Sequence, residues 1–480
     1  MRVLTLIEFI SKSGKMRNPL TYFIFTFLFF ISIPVSHAAV QNANVIIIGA
    51  GVSGLAAAKT LSQKHVDVLV LEARNRIGGR VYTVHPWGYA LDMGASWIHG
   101  INHNPISNIV KSHHIKTIPT LYNDNEMLEK FKSFNVYNSH GERIKRIQLD
   151  QALLLAKQFD DELDENNEQH ASLSVENVLA DFIHRYHINT HTAMMLSYII
   201  TNIYLYEFGV DLNSLSANAN TMYLHSQISG RNEIFLNGFS QILDTLRANY
   251  PIKLNQEVKQ IVYHKNGVEL FTQDKHYHAR YVIITVPLGV LKSGSITFIP
   301  DLPKTKKLAI QKLGVSTYEK TYLYFKYPFW DKKAEWIGYF PESKNTNDIP
   351  DIMNMYKLTH RPVLLFFTAG EFGKHVDHWS DKKTVNYMMS ILKKIHGENI
   401  PAPIAYKRSH WSSDKFSYGA YTYLPVGVSS KYIQILKRPV ANSLFFAGEA
   451  TSETDPGTVH GAYQTGIEIA NKIIKTKQQH

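Results

Sequence analysis

The chain has no cysteine among its 480 residues. That excludes disulfide cross-links, thiolate metal sites and a cysteine nucleophile. Asn-x-Ser/Thr acceptors are also missing, which favours a bacterial exported protein over a glycosylated eukaryotic one. No apolar run reaches the length of a membrane-spanning helix. No Ser/His/Asp signature, zinc signature or phosphate-transfer loop is present. Lys and Arg outnumber Asp and Glu by 51 to 40, yet no basic run interleaved with aromatics points to nucleic acid. A basic balance of this kind reads as solubility with some attraction to anionic surfaces.

What is present begins with a leader. Lys12, Lys15 and Arg17 precede a Phe-rich apolar run at 20–33, and Pro34 and Ser36-His37-Ala38 follow. A basic flank, a short apolar core and small residues at Ser36 and Ala38 read as a secretory signal over 1–38, cleaved near Ala38. An uncleaved anchor and a buried helix are the alternatives. The leader lacks twin arginines, which implies export of the unfolded chain. The expected location is secreted or periplasmic, with no stable membrane span after cleavage. The remaining length suits two domains sharing an interface, and 44% hydrophobic residues can fill both cores.

The run Val45-Ile46-Ile47-Ile48 feeds into Gly49-Ala50-Gly51-Val52-Ser53-Gly54, and a second apolar run, Val68-Leu69-Val70-Leu71, ends in Glu72. This order predicts a dinucleotide-binding β-α-β unit. Gly49 permits the tight turn, Gly51 lets the backbone approach a pyrophosphate at a helix N-terminus, and Gly54 lets helix and strand pack closely. Glu72 is placed to accept hydrogen bonds from a ribose. Arg76-Ile77-Gly78-Gly79-Arg80 then adds two glycines and two guanidinium groups, a cluster that nicotinamide enzymes do not generally need.

From 104 to about 217 the pattern is mainly helical, interrupted by an acidic run at 160–165 that reads as a solvated face or loop rather than a metal site. His184, His187 and His191 have the spacing of one helical face. With 23 histidines in the chain, surface polarity is the preferred reading and no metal is expected. An amphipathic helix at 240–246, a strand at 257–263, a hairpin turn at Asn266-Gly267 and a strand at 281–286 follow. In Thr317-Tyr318-Glu319-Lys320-Thr321-Tyr322-Leu323-Tyr324, strand alternation sets Lys320 on a face with three tyrosines. That is an odd place for a cation that only seeks water, although a snorkelling or edge lysine is the ordinary alternative. Near the end, strand Leu444-Phe445-Phe446 runs into Ala447-Gly448-Glu449, and Gly457-Thr458-Val459-His460-Gly461 opens a helix.

On these motifs the chain resembles the flavin-dependent amine oxidase family over nearly its whole length. The matching segments are Gly49 to Gly54, Glu72-Ala73-Arg74, Arg76 to Arg80, Asp92-Met93-Gly94-Ala95-Ser96-Trp97-Ile98-His99-Gly100, the Lys320 strand with Phe329-Trp330, Trp411-Ser412-Ser413-Asp414, Gly419-Ala420-Tyr421 and the two closing glycine segments. The Trp-Ile-His-Gly end is especially close to polyamine oxidases. The resemblance implies an α/β fold: a discontinuous Rossmann-like FAD-binding domain over 39–101, 235–300 and 437–480, and an α+β substrate-binding domain over 102–234 and 301–436. It implies cofactor contacts from Gly49, Gly51, Ser53, Gly54, Glu72, Arg74, Gly79, Arg80, Ser96, Trp97, Val258, Trp411, Glu449, Thr458 and Val459. Lys320 would hold a water near the flavin and shuttle protons. His99 would orient the amine, and Tyr421 would form one aromatic wall of the site, opposite Thr458 where some relatives carry a second tyrosine. A flavin tethered to cysteine, as in monoamine oxidases, is excluded, so FAD is expected to be held noncovalently.

The expected activity is oxidation of a polyamine-like small molecule, with hydride passing to the flavin, an imine and aldehyde as products, and O2 as acceptor giving H2O2. An L-amino-acid oxidase would need a cation for the substrate carboxylate, for which Arg231 or Arg361 could serve. A flavin-binding interaction protein without turnover is the third reading. The leader and the lack of a chromatin-binding region disfavour a demethylase.

Overall fold

The computed structural model describes residues 40–121, 131, 133–165, 172–223, 225–265, 267–341 and 348–478. The expected leader and Asn266 of the hairpin turn lie outside them. Strand β1 (Gln41–Ile48) leads into helix α1 (Val52–Ser62) and strand β2 (Val68–Leu71). Helix α2 (Thr190–Phe208) and strands β3 (His276–Ile284), β4 (Tyr318–Tyr324) and β5 (Val363–Ala369) come later, and helix α3 (Val459–Gln478) is last.

β1 lies between β2 and β3 and runs parallel to both, while Leu444–Phe446 adds in parallel to the C-terminal half of β3. Successive side chains of a strand point to opposite faces. Val45 and Ile47 accordingly pack with Leu55, Ala57, Ala58 and Leu61 of α1 and with Ile469, Ala470 and Ile473 of α3. Ile46 and Ile48 face the other way, toward Ile261, Leu270, Val282 and Leu444. Cover on both faces explains why these strands read as unbroken apolar runs. α1 and α3 meet almost backbone to backbone, since a Cβ on Gly466 would lie 2.2 Å from the Ser53 carbonyl oxygen.

A second sheet runs Ala405–Arg408, β4, β5, Asp351–Asn354, Trp336–Tyr339, Phe134–Tyr137, antiparallel except for the last pair. One face buries Leu323, Leu364 and Phe366 against Met388, Ile391 and Leu392 of helix Asp381–His396. The other sets Tyr322, Leu365 and Phe367 against a cluster that includes Ile199 and Ile203 of α2. Lys320 therefore shares its face with Tyr322, as the alternation predicts.

Several local readings change. The stretch 104–217 contains strands Thr117–Pro119 and Phe134–Tyr137 beside its helices. Strand Glu233–Phe235 pairs with both Trp97–Ile98 and Thr117–Pro119. His184 lies in the last turn of helix Val175–Arg185, His187 sits in a turn at φ 49°, and His191 is on α2, so the three do not share one helix. Among the described residues no group of three His, Asp or Glu could hold a metal ion, and no helix is long and apolar enough to cross a membrane.

Candidate active site

A cavity of about 1050 Å³ is lined by residues of both sheets. Its nucleotide end is built by β1, α1 and β2. Gly49 turns the chain at φ 107°, and a Cβ on Gly54 would lie 2.0 Å from the Gly49 carbonyl oxygen, so that glycine serves packing. A Cβ on Gly51 would meet no atom within 4 Å, because it would project into the cavity. Ser53, in the first turn of α1, is 4% exposed, and its Oγ has no hydrogen-bond partner although it lines the same space. An open cradle and an orphaned hydroxyl at a helix N-terminus fit the pyrophosphate of a dinucleotide.

Glu72 closes this end. Its Oε2 accepts the Ala50 amide at 2.7 Å and its Oε1 the Arg74 amide at 2.8 Å, so it ties the glycine turn to the end of β2. A carboxylate oxygen carries further acceptor capacity, which leaves Glu72 able to receive ribose hydroxyls from the cavity it lines. Burial raises its carboxyl above the usual range, against those two amides and Arg74. The Arg74 side chain is tied to Asp414 and, at 2.9 Å, to Ser417 Oγ. Arg80 Nη1 donates to Glu449 Oε1 at 3.0 Å and to the Ala420 carbonyl. Glu449 also accepts the amides of Thr422 and Gly457, so one buried carboxylate joins three chain segments.

At the opposite end, Lys320 is 4% exposed on β4. Its Nζ donates to the carbonyls of Asp92 at 3.0 Å and Gly94 at 2.6 Å and also contacts Ser96 Oγ. The rings of Trp97 and Phe367 stand 5.8 and 5.7 Å from it. Burial pushes the Lys320 ammonium down to about 8, against the pull of Asp92. Burial also pushes the Asp92 carboxyl up to about 6, against hydrogen bonds from Thr83 and the Phe239 amide. The 92–96 loop is locked in place: Trp411 Nε1 donates to the Met93 carbonyl at 2.8 Å, and a Cβ on Gly94 would lie 1.8 Å from the Arg80 carbonyl oxygen.

The structure brings all the expected site residues except Gly54 to the wall of this cavity, including His99, Val258, Trp411, Tyr421, Thr458 and Val459. Tyr421 is anchored by donation from its hydroxyl to the Glu207 carbonyl at 2.8 Å, and its ring lies 6.1 Å from that of Tyr318. A Cβ on Gly457 would meet Tyr421 Cδ2 at 3.5 Å and Tyr223 Oη at 3.7 Å. A second tyrosine from another segment therefore flanks the stretch that carries Thr458.

Three groups were missed. Asp160, half-buried, and Asp164, exposed, line the cavity, with Asp160 accepting from Tyr204 and Asp164 from Asn220 Nδ2 at 2.9 Å. Their i, i+4 spacing on helix Arg146–Glu165 was the available signal. Glu207, the one acidic residue of the apolar helix α2, also reaches the cavity. Asp455 and His460 form a buried pair at 3.5 Å beside α3. Burial works to raise the Asp455 carboxyl, but hydrogen bonds from His460, Ser226 and Thr454 hold it below the usual range.

The family profile described as flavin containing amine oxidoreductase matches residues 52–474. Polyamine oxidase 2 of Arabidopsis thaliana is 33% identical over 442 residues, spanning 90% of this chain and 88% of that protein. Lysine-specific histone demethylase 1 homolog 1 of the same plant is 32% identical over 472 residues, 92% of this chain but 53% of its own length. Among solved structures, a double mutant of putrescine oxidase with redesigned cofactor binding superposes with a TM-score of 0.73 at 19% identity, covering 91% of this chain and 100% of that one. With a dinucleotide cradle, a buried lysine at its far end and a profile match over most of its length, the chain belongs to the flavin-containing amine oxidoreductase family, whose members use FAD.

Proposed function

We propose that this enzyme oxidises a polyamine-like substrate to an imine that water hydrolyses to an aldehyde and a shorter amine, with O2 as final acceptor and H2O2 as product. The observation that carries this reading is the acidic and aromatic share of the cavity lining. Asp160, Asp164, Glu207 and Asp351 line the cavity beside Tyr206, Tyr223, Tyr318 and Tyr421. Four carboxylates in one cavity wall, beside a lysine, Lys157, that is paired with Asp161, suit a substrate with several ammonium groups, and tyrosine faces suit cations. The polyamine oxidases among the relatives support the same reading.

Bound FAD supplies the two-electron acceptor for hydride leaving the carbon beside the amine nitrogen. Gly51, Ser53, Glu72, Arg80, Val258 and Glu449 would hold its nucleotide part, and Ser96, Trp97, Trp411, Thr458 and Val459 would line its ring. His99 and Tyr421 orient the amine. Lys320, lowered toward neutrality by burial, exchanges the proton that amine oxidation releases.

Amino-acid oxidation would require a cation facing the substrate carboxylate. Arg231 pairs with Glu233 and Arg361 lies over the Tyr89 ring, and neither lines the cavity. Purified enzyme incubated with spermine, spermidine, acetylated polyamines, monoamines and L-amino acids should release peroxide with polyamines. Peroxide from amino acids alone overturns the assignment. The basic-flanked apolar run at 20–33 supports export. N-terminal sequencing should find a mature chain beginning after Ala38 outside the cytoplasm, and a cytoplasmic chain that keeps 1–38 refutes it.

A further inference from the structure

Lys320 Nζ is surrounded by three oxygens of one loop: the carbonyls of Asp92 and Gly94 and the hydroxyl of Ser96. An ammonium has three N–H bonds and no lone pair, whereas a neutral amine has two N–H bonds and one lone pair. The two carbonyls can only accept, so they take two N–H bonds in either state. They are also immobile: Tyr322 Oη donates to the Asp92 carbonyl at 2.8 Å, and the Gly94 backbone has no room to shift against Arg80. The change on losing or gaining a proton therefore falls on the third position. Ser96 Oγ is the one partner there that can both donate and accept, and its own proton is held only by a long contact of 3.5 Å to the Gly94 carbonyl. It is 9% exposed and lines the cavity.

We propose that Ser96 is the proton relay between Lys320 and the cavity. Beside an ammonium, Oγ accepts from Nζ and turns its own proton outward. Beside a neutral amine, the hydroxyl donates to Nζ and turns a lone pair outward. The transfer that prepares a substrate breaks one N–H bond of the protonated amine as Oγ takes that proton. At the same time the proton Ser96 already held passes to Nζ, leaving a neutral substrate, an intact serine and an ammonium. No electrons change hands, and the reverse transfer resets the pair. Other titratable groups around Nζ are otherwise engaged. The Asp92 carboxyl is bonded to Thr83 and the Phe239 amide, Tyr322 to the Asp92 carbonyl, and Glu319 faces away toward Ser409 and the Ser412 amide. Tyr318, next along the same face, also lines the cavity.

The proposal rests on the amine-oxidation reading, and its test separates the two. Holoenzymes carrying Ser96→Ala, Ser96→Thr, Lys320→Met and the Ala/Met pair are compared in two ways. The first is a pH titration of the bound flavin's visible absorbance without substrate. The wild type should show a transition from the lysine, Lys320→Met should lose it, and Ser96→Ala should move its midpoint to lower pH because the ammonium has lost an acceptor. Ser96→Thr should match the wild type. The second is the rate of flavin reduction by spermine. Lys320→Met and Ser96→Ala should each slow it at least about tenfold, and the double variant should stay within about threefold of Lys320→Met, because the two groups act in series. Threonine should restore the rate. A Ser96→Ala enzyme that matches the wild type in both measurements overturns the relay, as do losses that multiply in the double variant. If the alanine variant fails to retain FAD, Ser96→Gly, which also lacks the hydroxyl, takes its place. If spermine does not reduce the wild-type flavin, the substrate reading falls, and the absorbance titration alone decides whether Ser96 and Lys320 are coupled.

Discussion

Two glycines three residues apart should fail in different ways. Alanine at 54 would place its Cβ 2.0 Å from the Gly49 carbonyl oxygen and 3.0 Å from Thr285 Oγ1. The glycine turn cannot give way easily, because Thr285 Oγ1 donates to the carbonyls of Ile48 and Gly49 at 2.9 and 3.2 Å. α1 must back away by more than an ångström, an overpacking cost of about 1–3 kcal/mol, reduced by about 1 kcal/mol of better helix propensity. Alanine at 51 meets nothing within 4 Å, and the φ there of −72° suits any residue. A weaker N-cap and a less flexible unfolded chain then offset each other to within about 1 kcal/mol. Its methyl group nevertheless occupies the space a pyrophosphate would enter, so FAD affinity should fall about 10- to 100-fold, or about 1.4–2.8 kcal/mol. Melting curves of FAD-free protein and fluorescence titration with FAD read the two effects apart. Gly54→Ala should melt a few degrees lower before any cofactor is added, while Gly51→Ala should melt like the wild type and bind FAD poorly. Equal melting losses in both variants, or undiminished FAD binding by Gly51→Ala, would sink the division of labour.

Ser53→Ala removes a hydroxyl without a protein partner, so FAD-free stability should hold while FAD dissociates several-fold faster; a lower melting point with normal affinity would show that the hydroxyl serves the fold. Asp160→Asn combined with Asp164→Asn should raise KM for spermine about tenfold or more and leave a short monoamine nearly unaffected, with parallel losses for both counting against remote ammonium recognition. Burial pushes the Glu319 carboxyl up to about 7, against its Ser409 hydrogen bond and with help from Asp377. Its raised value means the folded state keeps the proton longer, so the contribution is complete below the unfolded value near 4.5 and is lost as pH rises through about 7. Glu319→Gln should therefore melt higher than the wild type at pH 8, by on the order of 3 kcal/mol, with the gap closing toward pH 5. A gap independent of pH would remove the carboxyl's ionisation as its cause.

The nucleotide end was legible because its constraints are local: turn, helix start and acidic strand end follow within one short stretch, each with its own residue requirement. Lys320 was legible in part. Alternation set it on the tyrosine face, but its three acceptors come from a loop more than two hundred residues earlier. The acidic run is largely solvated, with Asp161, Asp164 and Glu165 exposed, but helical spacing does not reveal that part of it also borders a cavity. Asp160 accepts from Tyr204 and Asp164 from Asn220, residues that only tertiary packing brings near. Phe134–Tyr137 was hidden for the same reason. A four-residue strand amid helices acquires its identity by adding to Trp336–Tyr339 some two hundred residues on.

The close seating of Gly466 on Ser53 has a consequence for the order of events during synthesis. The helix that opens the cradle packs against a helix from the last part of the chain, and the strand behind it, paired early with β2, gains its second neighbour only after residue 276. Contacts spanning such sequence distances form late. A growing chain thus emerges with its glycine turn complete in sequence and unfinished in space. Cofactor capture becomes a checkpoint on full-length translation, and a chain cut short ahead of Val459 should remain colourless however well its first hundred residues are made.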